Sequence, residues 1–351
     1  MDDFKQWLDR DLDEWTRQVV ARHFDPETGS PYWLGRAAGL SFDPRDITRY
    51  DELVDLGPFT LADLRTVDPA NLVPLAVPRP LAGRVFESGG TTGDPCRVLY
   101  TDAMHRHRIL WRRWGLENTG FERGRIWLQA TPSGPHVIGS GMADLADHFD
   151  SRVYAVDIDP RWVKNLVREG RLQEADAYTR HVVDQIRNVV EQQPIDYMTT
   201  TSVLFRAFAQ ALPEFAGRLK GVWLGGTEIT PDMYESFTGI LDGGVIGRTY
   251  GNTFGNAIGL PASPDGRLLP YIPQYPQVTI AVTDRSEWRR TVEYGAIGRV
   301  RLTVLHEDLL LPNILERDQA MRYDTGTEWP CDGVANVRRL QVTNTAPEGI
   351  Y

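Results

Sequence analysis

Four short segments carry residue types suited to binding a polar ligand. Residues 87–97 read Glu-Ser-Gly-Gly-Thr-Thr-Gly-Asp-Pro-Cys-Arg, with three glycines and three hydroxyl side chains packed into Ser88, Gly89, Gly90, Thr91, Thr92 and Gly93. Glycines let backbone N–H groups turn toward an anion, and hydroxyls add donors of adjustable direction, which is the chemistry of a nest around phosphate oxygens. A Walker-type loop would end in lysine, and here none follows. The same composition also makes an ordinary turn. Gly225-Gly226-Thr227-Glu228-Ile229-Thr230 follows an apolar run. Its glycines suit a flat ring, and Thr230-Pro231 equally suits the start of a helix. Tyr250-Gly251-Asn252-Thr253-Phe254-Gly255-Asn256 again ends an apolar run with amides and hydroxyls, which serve ligands and turns alike. In Arg322-Tyr323-Asp324-Thr325-Gly326-Thr327, Asp324 is suited either to accepting from ribose hydroxyls or to an Asx turn.

These segments need a frame to bring them together. Between residues 125 and 255, apolar strands alternate with glycine-containing loops and amphipathic helices. The pattern predicts an α/β fold with a largely parallel sheet and flanking helices, whose ligand loops gather at the carboxyl ends of the strands. A helix is predicted from Thr101 or Asp102 to about Glu117, and another over residues 174–193. Phe4, Trp7, Leu8, Leu12, Trp15 and Val19 form one apolar stripe on a helix. After residue 270, strands follow one another without long helices, as in a small, mainly antiparallel β subdomain. The expected division is a helical and irregular segment over 1–80, an α/β core over 81–270 and a β-rich subdomain over 271–351.

The net charge of −10 over 351 residues argues against nucleic acid as a general partner. Arg106, Arg108, Arg112 and Arg113 cluster within the predicted helix, where a solvated face is favoured over an anion site. Cys96 and Cys331 supply neither a disulfide framework nor a cysteine-rich metal site. The start is no signal peptide and no apolar run is long enough to span a membrane, so a cytoplasmic protein is expected. Lys5, Lys164 and Lys220 are the only lysines.

Taken in order, the four segments resemble motifs of the adenylate-forming superfamily of acyl-CoA synthetases, nonribosomal adenylation domains and luciferases. The resemblance covers roughly residues 50–335. It is nearest to the phenylacetate-CoA ligase branch and, within the superfamily, to the short adenylating proteins of phenazine antibiotic biosynthesis. Residues 88–97 are similar to the phosphate loop, 225–228 to the adenine-contacting Gly-Gly-Glu segment, 250–254 to Tyr-Gly-x-Thr-Glu, and 322–327 to Arg-Tyr-Arg-Thr-Gly-Asp.

The resemblance implies ATP as cosubstrate, with its phosphates on Ser88, Gly89, Gly90, Thr91, Thr92 and Gly93. It implies adenine and ribose near Gly225, Gly226, Thr227, Glu228, Tyr250, Gly251, Asn252 and Asp324. An acyl pocket is implied among His136, Gly139, Phe254 and Asn256, although His136 suits a structural role equally well. The chain departs from the pattern in three places. Cys96 stands where the loop lysine is expected, leaving Arg97 as stand-in, with Thr91 and Thr253 as further catalytic candidates. Phe254 replaces the magnesium-associated Glu, leaving Glu228 as the candidate Mg2+ ligand. Thr327 replaces the ribose-binding Asp, with Asp324, Thr325 or Glu328 as substitutes. The family's C-terminal lid domain carries a catalytic lysine, whereas 24 residues without a lysine follow Thr327. The expected activity is therefore adenylation of a small aromatic carboxylic acid rather than complete CoA ligation. The acyl adenylate would pass to a carrier protein, a reductase or an amine. A silent nucleotide- or metabolite-binding homologue and an enzyme activating nitrite for diazotisation are the alternatives, and a homodimer is compatible with the sequence.

Overall fold

The computed structural model describes residues 2–89 and 94–340. Gly90, Thr91, Thr92 and Gly93 therefore lie outside the described residues. The N-terminal apolar stripe is carried by two helices, Asp2–Leu8 and Leu12–His23, rather than one. The break falls at Asp11, whose carboxylate accepts the N–H of Glu14 at 2.8 Å and so caps the second helix. Helix Leu12–His23 lies against the β-rich half of the molecule, as does Trp33 on the short helix Pro31–Ala37, whereas Phe4 of the first helix stacks on Trp114. Trp15 Nε1 donates to the Leu305 carbonyl at 2.8 Å, and Trp33 Nε1 to that of Leu310 at 3.0 Å. Both indoles are buried, and truncating such a side chain to alanine typically costs about 3–5 kcal/mol.

A hairpin of β1 (Arg84–Glu87) and β2 (Arg97–Tyr100) stands apart as a two-stranded sheet. The helix Asp102–Thr119 follows, capped by Thr101. Next come β3 (Ile126–Ala130), β4 (Arg152–Ala155), β5 (Tyr197–Thr200), β6 (Gly221–Leu224) and β7 (Val245–Gly251), paired in parallel in the order β4-β3-β5-β6-β7. Every residue of β3, β5 and β6 is buried. Helices on both faces of a parallel sheet bury its strands completely, which is why these read as unbroken apolar runs.

The chain then turns antiparallel through β8 (Asn256–Gly259), β9 (Pro270–Pro273), β10 (Val278–Thr283), β11 (Ile297–His306), β12 (Leu309–Tyr323) and β13 (Gly333–Arg339). Because β8 pairs with β7, these strands extend the parallel part into one 11-stranded sheet. The longest strand, β12, has 15 residues. Its apolar half, Leu309–Leu315, passes into a charged half beginning at Glu316.

Candidate active site

The carboxyl ends of β5, β6 and β7 and the loops beyond them border a cleft of about 710 Å³. Three groups of polar side chains meet it.

The first surrounds the β1–β2 hairpin. Ser88 N–H donates to the Cys96 carbonyl at 2.9 Å, and Cys96 N–H donates to Ser88 Oγ at 2.9 Å. The Ser88 oxygen therefore closes the loop as an acceptor. Cys96 is buried, its sulfur 3.6 Å from the Leu61 carbonyl. Arg97 Nε donates to Glu87 Oε1 at 3.0 Å, and Arg161 holds the other oxygen of the same carboxylate. Burial pushes the Glu87 carboxyl up, but hydrogen bonds from Arg161 and Arg97 outweigh it and hold the carboxyl below its usual value.

Sequence reasoning missed Lys164. Asp159 caps the helix Pro160–Arg168, accepting the N–H groups of Arg161 and Trp162. Arg161 and Lys164 then share one face at i, i+3. Arg161 reaches Glu87, and Lys164 lines the cleft so close to Gly89 that a Cβ there would collide with its ammonium. The available signal was an isolated lysine one turn from an arginine behind an Asp-Pro helix start. Lys220 is paired with Asp196 at 2.9 Å and does not line the cleft. His136, also buried and lining the cleft, is held below its ordinary pKa by burial first, then by Arg161 and Lys164, and is neutral at pH 7.

The second group faces the loop after β7. Gly251 has φ of 144°, and a Cβ there would lie 2.7 Å from the Asn256 Cα, so the turn needs glycine. Asn252 Oδ1 accepts the N–H groups of Phe254 and Gly255, and its Nδ2 donates to Glu316 Oε1 at 2.6 Å. Tyr250 donates to Asp318 Oδ2 at 2.9 Å. Glu316 and Asp318 sit two apart on β12, and both line the cleft. Burial, then the neighbouring Asp318 charge, push the Glu316 carboxyl up to about 7. Sequence reasoning missed this pair too, although an i, i+2 acidic pair ending an apolar strand is a visible signal. Thr253, Phe254 and Asn256 also line the cleft, with Thr253 and Phe254 buried.

Other predicted residues lie elsewhere. Asp324, Thr325 and Glu328 are not among the residues lining the cleft. Asp324 is exposed and accepts the Gly326 N–H at 2.9 Å in an Asx turn. Gly225 and Gly226 line the cleft, whereas Thr227 bonds Ser202 at 2.8 Å. The Glu228 carboxylate accepts the Arg339 N–H at 3.5 Å, and neither residue 227 nor 228 lines the cleft. Thr230 caps the helix Pro231–Leu241, so this segment is both a cleft wall and a strand-to-helix turn. Gly139 packs against Gln129 and the Pro132 carbonyl.

The third group corrects a sequence expectation. Arg106 of helix Asp102–Thr119 is exposed, but the other arginines of the cluster are not a solvated face. Arg108 is only 8% exposed, and both Arg108 and Arg112 line the cleft. Intervening apolar residues turn that side of the helix inward: Trp111 and Leu116 are fully buried beside them.

No protein-family model matches the sequence, and no curated protein sequence matches it. Solved structures do. A structure of 2-hydroxyisobutyryl-CoA ligase in the postadenylation state, in complex with 2-HIB-AMP, matches with a TM-score of 0.65 at 14% identity, covering 92% of this chain and 65% of that one. An open conformation of that ligase, in complex with 2-HIB-AMP and CoA, matches with a TM-score of 0.65 at 14% identity, over 94% of this chain and 72% of that one. The chain thus spans about two thirds of the length of these ligase structures and shares their α/β fold across nearly all of its own.

Proposed function

We propose that this protein adenylates a carboxylic acid with ATP. A carboxylate oxygen attacks the α-phosphorus, the bond between the α-phosphorus and its bridging oxygen breaks, and pyrophosphate leaves with that oxygen. No proton changes hands in the step. The observation that carries the reading is the convergence of Ser88–Gly89, Gly225–Gly226 and Gly251–Phe254 on one cleft at the strand ends. The fold is shared with structures holding 2-HIB-AMP.

In this reading the triphosphate lies at Ser88, Gly89 and the neighbouring Lys164, and catalysis comes from positioning and charge stabilisation. Adenine rests against Gly225 and Gly226, and Asp318, oriented by Tyr250, accepts from the ribose in place of Asp324. Mg2+ fits this cleft through Glu316 rather than Glu228. Such an ion takes most of its oxygens from phosphates and water and needs only one or two carboxylates. When bound, it would neutralise charge on the phosphates. The acid is aromatic, of the phenazine-carboxylate kind, with buried Trp223 and Phe254 among the residues that line the cleft. The acyl adenylate then passes to a carrier, reductase or amine acceptor.

ATP–pyrophosphate exchange with a panel of aryl acids is the test. Acid-dependent exchange is expected. ATP binding by calorimetry without exchange for any acid would leave a nucleotide-binding protein instead.

A further inference from the structure

Arg108 and Arg112 reach the cleft without a salt-bridged carboxylate among the described residues. Arg108 Nη1 donates to Ser140 Oγ at 3.1 Å and Nη2 to the Val137 carbonyl at 2.5 Å, both uncharged acceptors. Arg112 Nη2 lies 3.0 Å from the Met142 sulfur, a weak acceptor, and its buried Nε has no hydrogen-bond partner among the described residues. No salt bridge joins either guanidinium to a carboxylate among those residues. Asp144 is the nearby opposite charge, and His105 Nε2 engages it at 2.8 Å. The two guanidiniums converge on Gly141, where a Cβ would lie 2.7 Å from Arg112 Nη1 and 3.5 Å from Arg108 Nη1 and Nη2. A side chain there would fill the space that they share.

Two like charges removed from water raise each other's cost, and a buried ion is normally retained only with a partner. Burial first, then Arg108, lowers Arg112 to about 9, which still leaves it charged at neutral pH. We propose that the acid bound here carries a second carboxylate, which Arg108 and Arg112 bind. Two guanidiniums converging on one point offer a carboxylate the planar, bidentate donors that it binds best.

The position fits the far end of an aromatic acid. His136 stands beside the Lys164 end of the cleft. Gly141 lies on the helix Val137–His148 that starts at the next residue, more than one turn along it. Trp223 and Ile258, which line the cleft, pack on the arginine-bearing helix at Gly115. Together these describe a planar aromatic body with a carboxylate at each end. The first carboxylate's role rests on the adenylation reading; the anion site does not.

The test compares benzoate with isophthalate and terephthalate in two assays. In ATP–pyrophosphate exchange, the wild type is expected to favour a dicarboxylate by about tenfold or more, since a site with buried hydrogen-bonding groups rejects an analogue that leaves them unpaired. Arg112→Met and Arg108→Met should each remove most of that ratio. Arg112→Lys, which keeps charge but loses the fork, serves if a methionine variant fails to fold. In the second assay, thermal unfolding without ATP, isophthalate should stabilise the wild type more than Arg112→Met or Arg112→Lys. Equal rates with benzoate, or a ratio unchanged by both substitutions, would overturn the proposal. No turnover with any acid, together with Arg112-dependent stabilisation by isophthalate, would sustain the anion site and remove the adenylation reading.

Discussion

Two arginine pairs are built in opposite ways: Arg108 and Arg112 line the cleft, whereas Arg97 and Arg161 hold Glu87, which lines it. Arg97 and Arg161 grip the two oxygens of Glu87, so their charge is answered inside the protein. Arg108 and Arg112 are more deeply placed, yet among the described residues their hydrogen bonds go to a hydroxyl, a carbonyl and a thioether. The contrast separates scaffold from site. A charge that already has its counter-ion fixes one loop against one helix, here the β1–β2 hairpin against Pro160–Arg168. A charge left without one in a cleft is held ready for something that arrives, at a cost to the empty protein. Lys164 also lines the cleft, with its ammonium against the Gly89 backbone, where an arriving anion would meet it.

The sharpest way to break that division is Lys164→Ala. If Lys164 supplies the cation at the phosphates, exchange should fall by about 10²–10³, the cost of one charge-stabilising donor. Lys164→Arg should recover part of it. The fall belongs in kcat with the strongest acid, measured beside circular dichroism to confirm folding. A rate within twofold of wild type would move Lys164 into the scaffold class.

Glu316 tests the same idea on an anion. It is half-buried beside Asp318, hydrogen-bonded to Asn252, with Arg317 and Arg299 only partly offsetting its environment. Its carboxyl is raised to about 7 from 4.5. A raised carboxyl binds its proton more tightly in the folded state. Between about pH 4.5 and 7 the unfolded chain is ionised while the folded one keeps the proton, so this group's stability contribution falls as pH rises. Glu316→Gln should therefore match wild type near pH 4.5 and exceed it above pH 7, by up to about 3 kcal/mol. Urea unfolding of both proteins across that range checks it; parallel curves would mean that Glu316 is not strained by the empty cleft.

Local chemistry made much of this legible in the sequence. The unbroken apolar runs of β3, β5 and β6, the Thr101 and Thr230 caps and the glycine loops after β6 and β7 are decided within a few residues of chain. What escaped depends on contacts far apart in sequence. Arg108 looks like any surface arginine until helix Asp102–Thr119 is packed against helix Val137–His148 and the sheet. Lys164 meets Gly89 only because β4 sends its following helix back to the hairpin. The 322–327 segment drew attention through its composition, but β12 runs on to Tyr323 and carries that turn past the cleft, leaving Glu316 and Asp318 at the site. A motif read for its letters is vulnerable to such a shift along a strand, because only the fold sets which residues of the strand face a ligand.

Arg97→Ala should have the smallest effect. In the sequence Arg97 is the natural replacement for a missing loop lysine, yet its guanidinium is 43% exposed and tied to Glu87, which Arg161 holds independently. An exposed ion pair contributes about 0–1 kcal/mol, so stability should fall by less than about 1 kcal/mol. Exchange should stay within about twofold, because Arg161 keeps Glu87 in place. Glu87→Gln gives the complementary measurement: it releases both arginines at once and should loosen the hairpin more than Arg97→Ala does, seen as faster amide exchange at Ser88 and Cys96. If Arg97→Ala instead cost as much activity as Lys164→Ala, Arg97 would have to leave Glu87 when nucleotide binds. The two arginine pairs would then differ in timing rather than in kind.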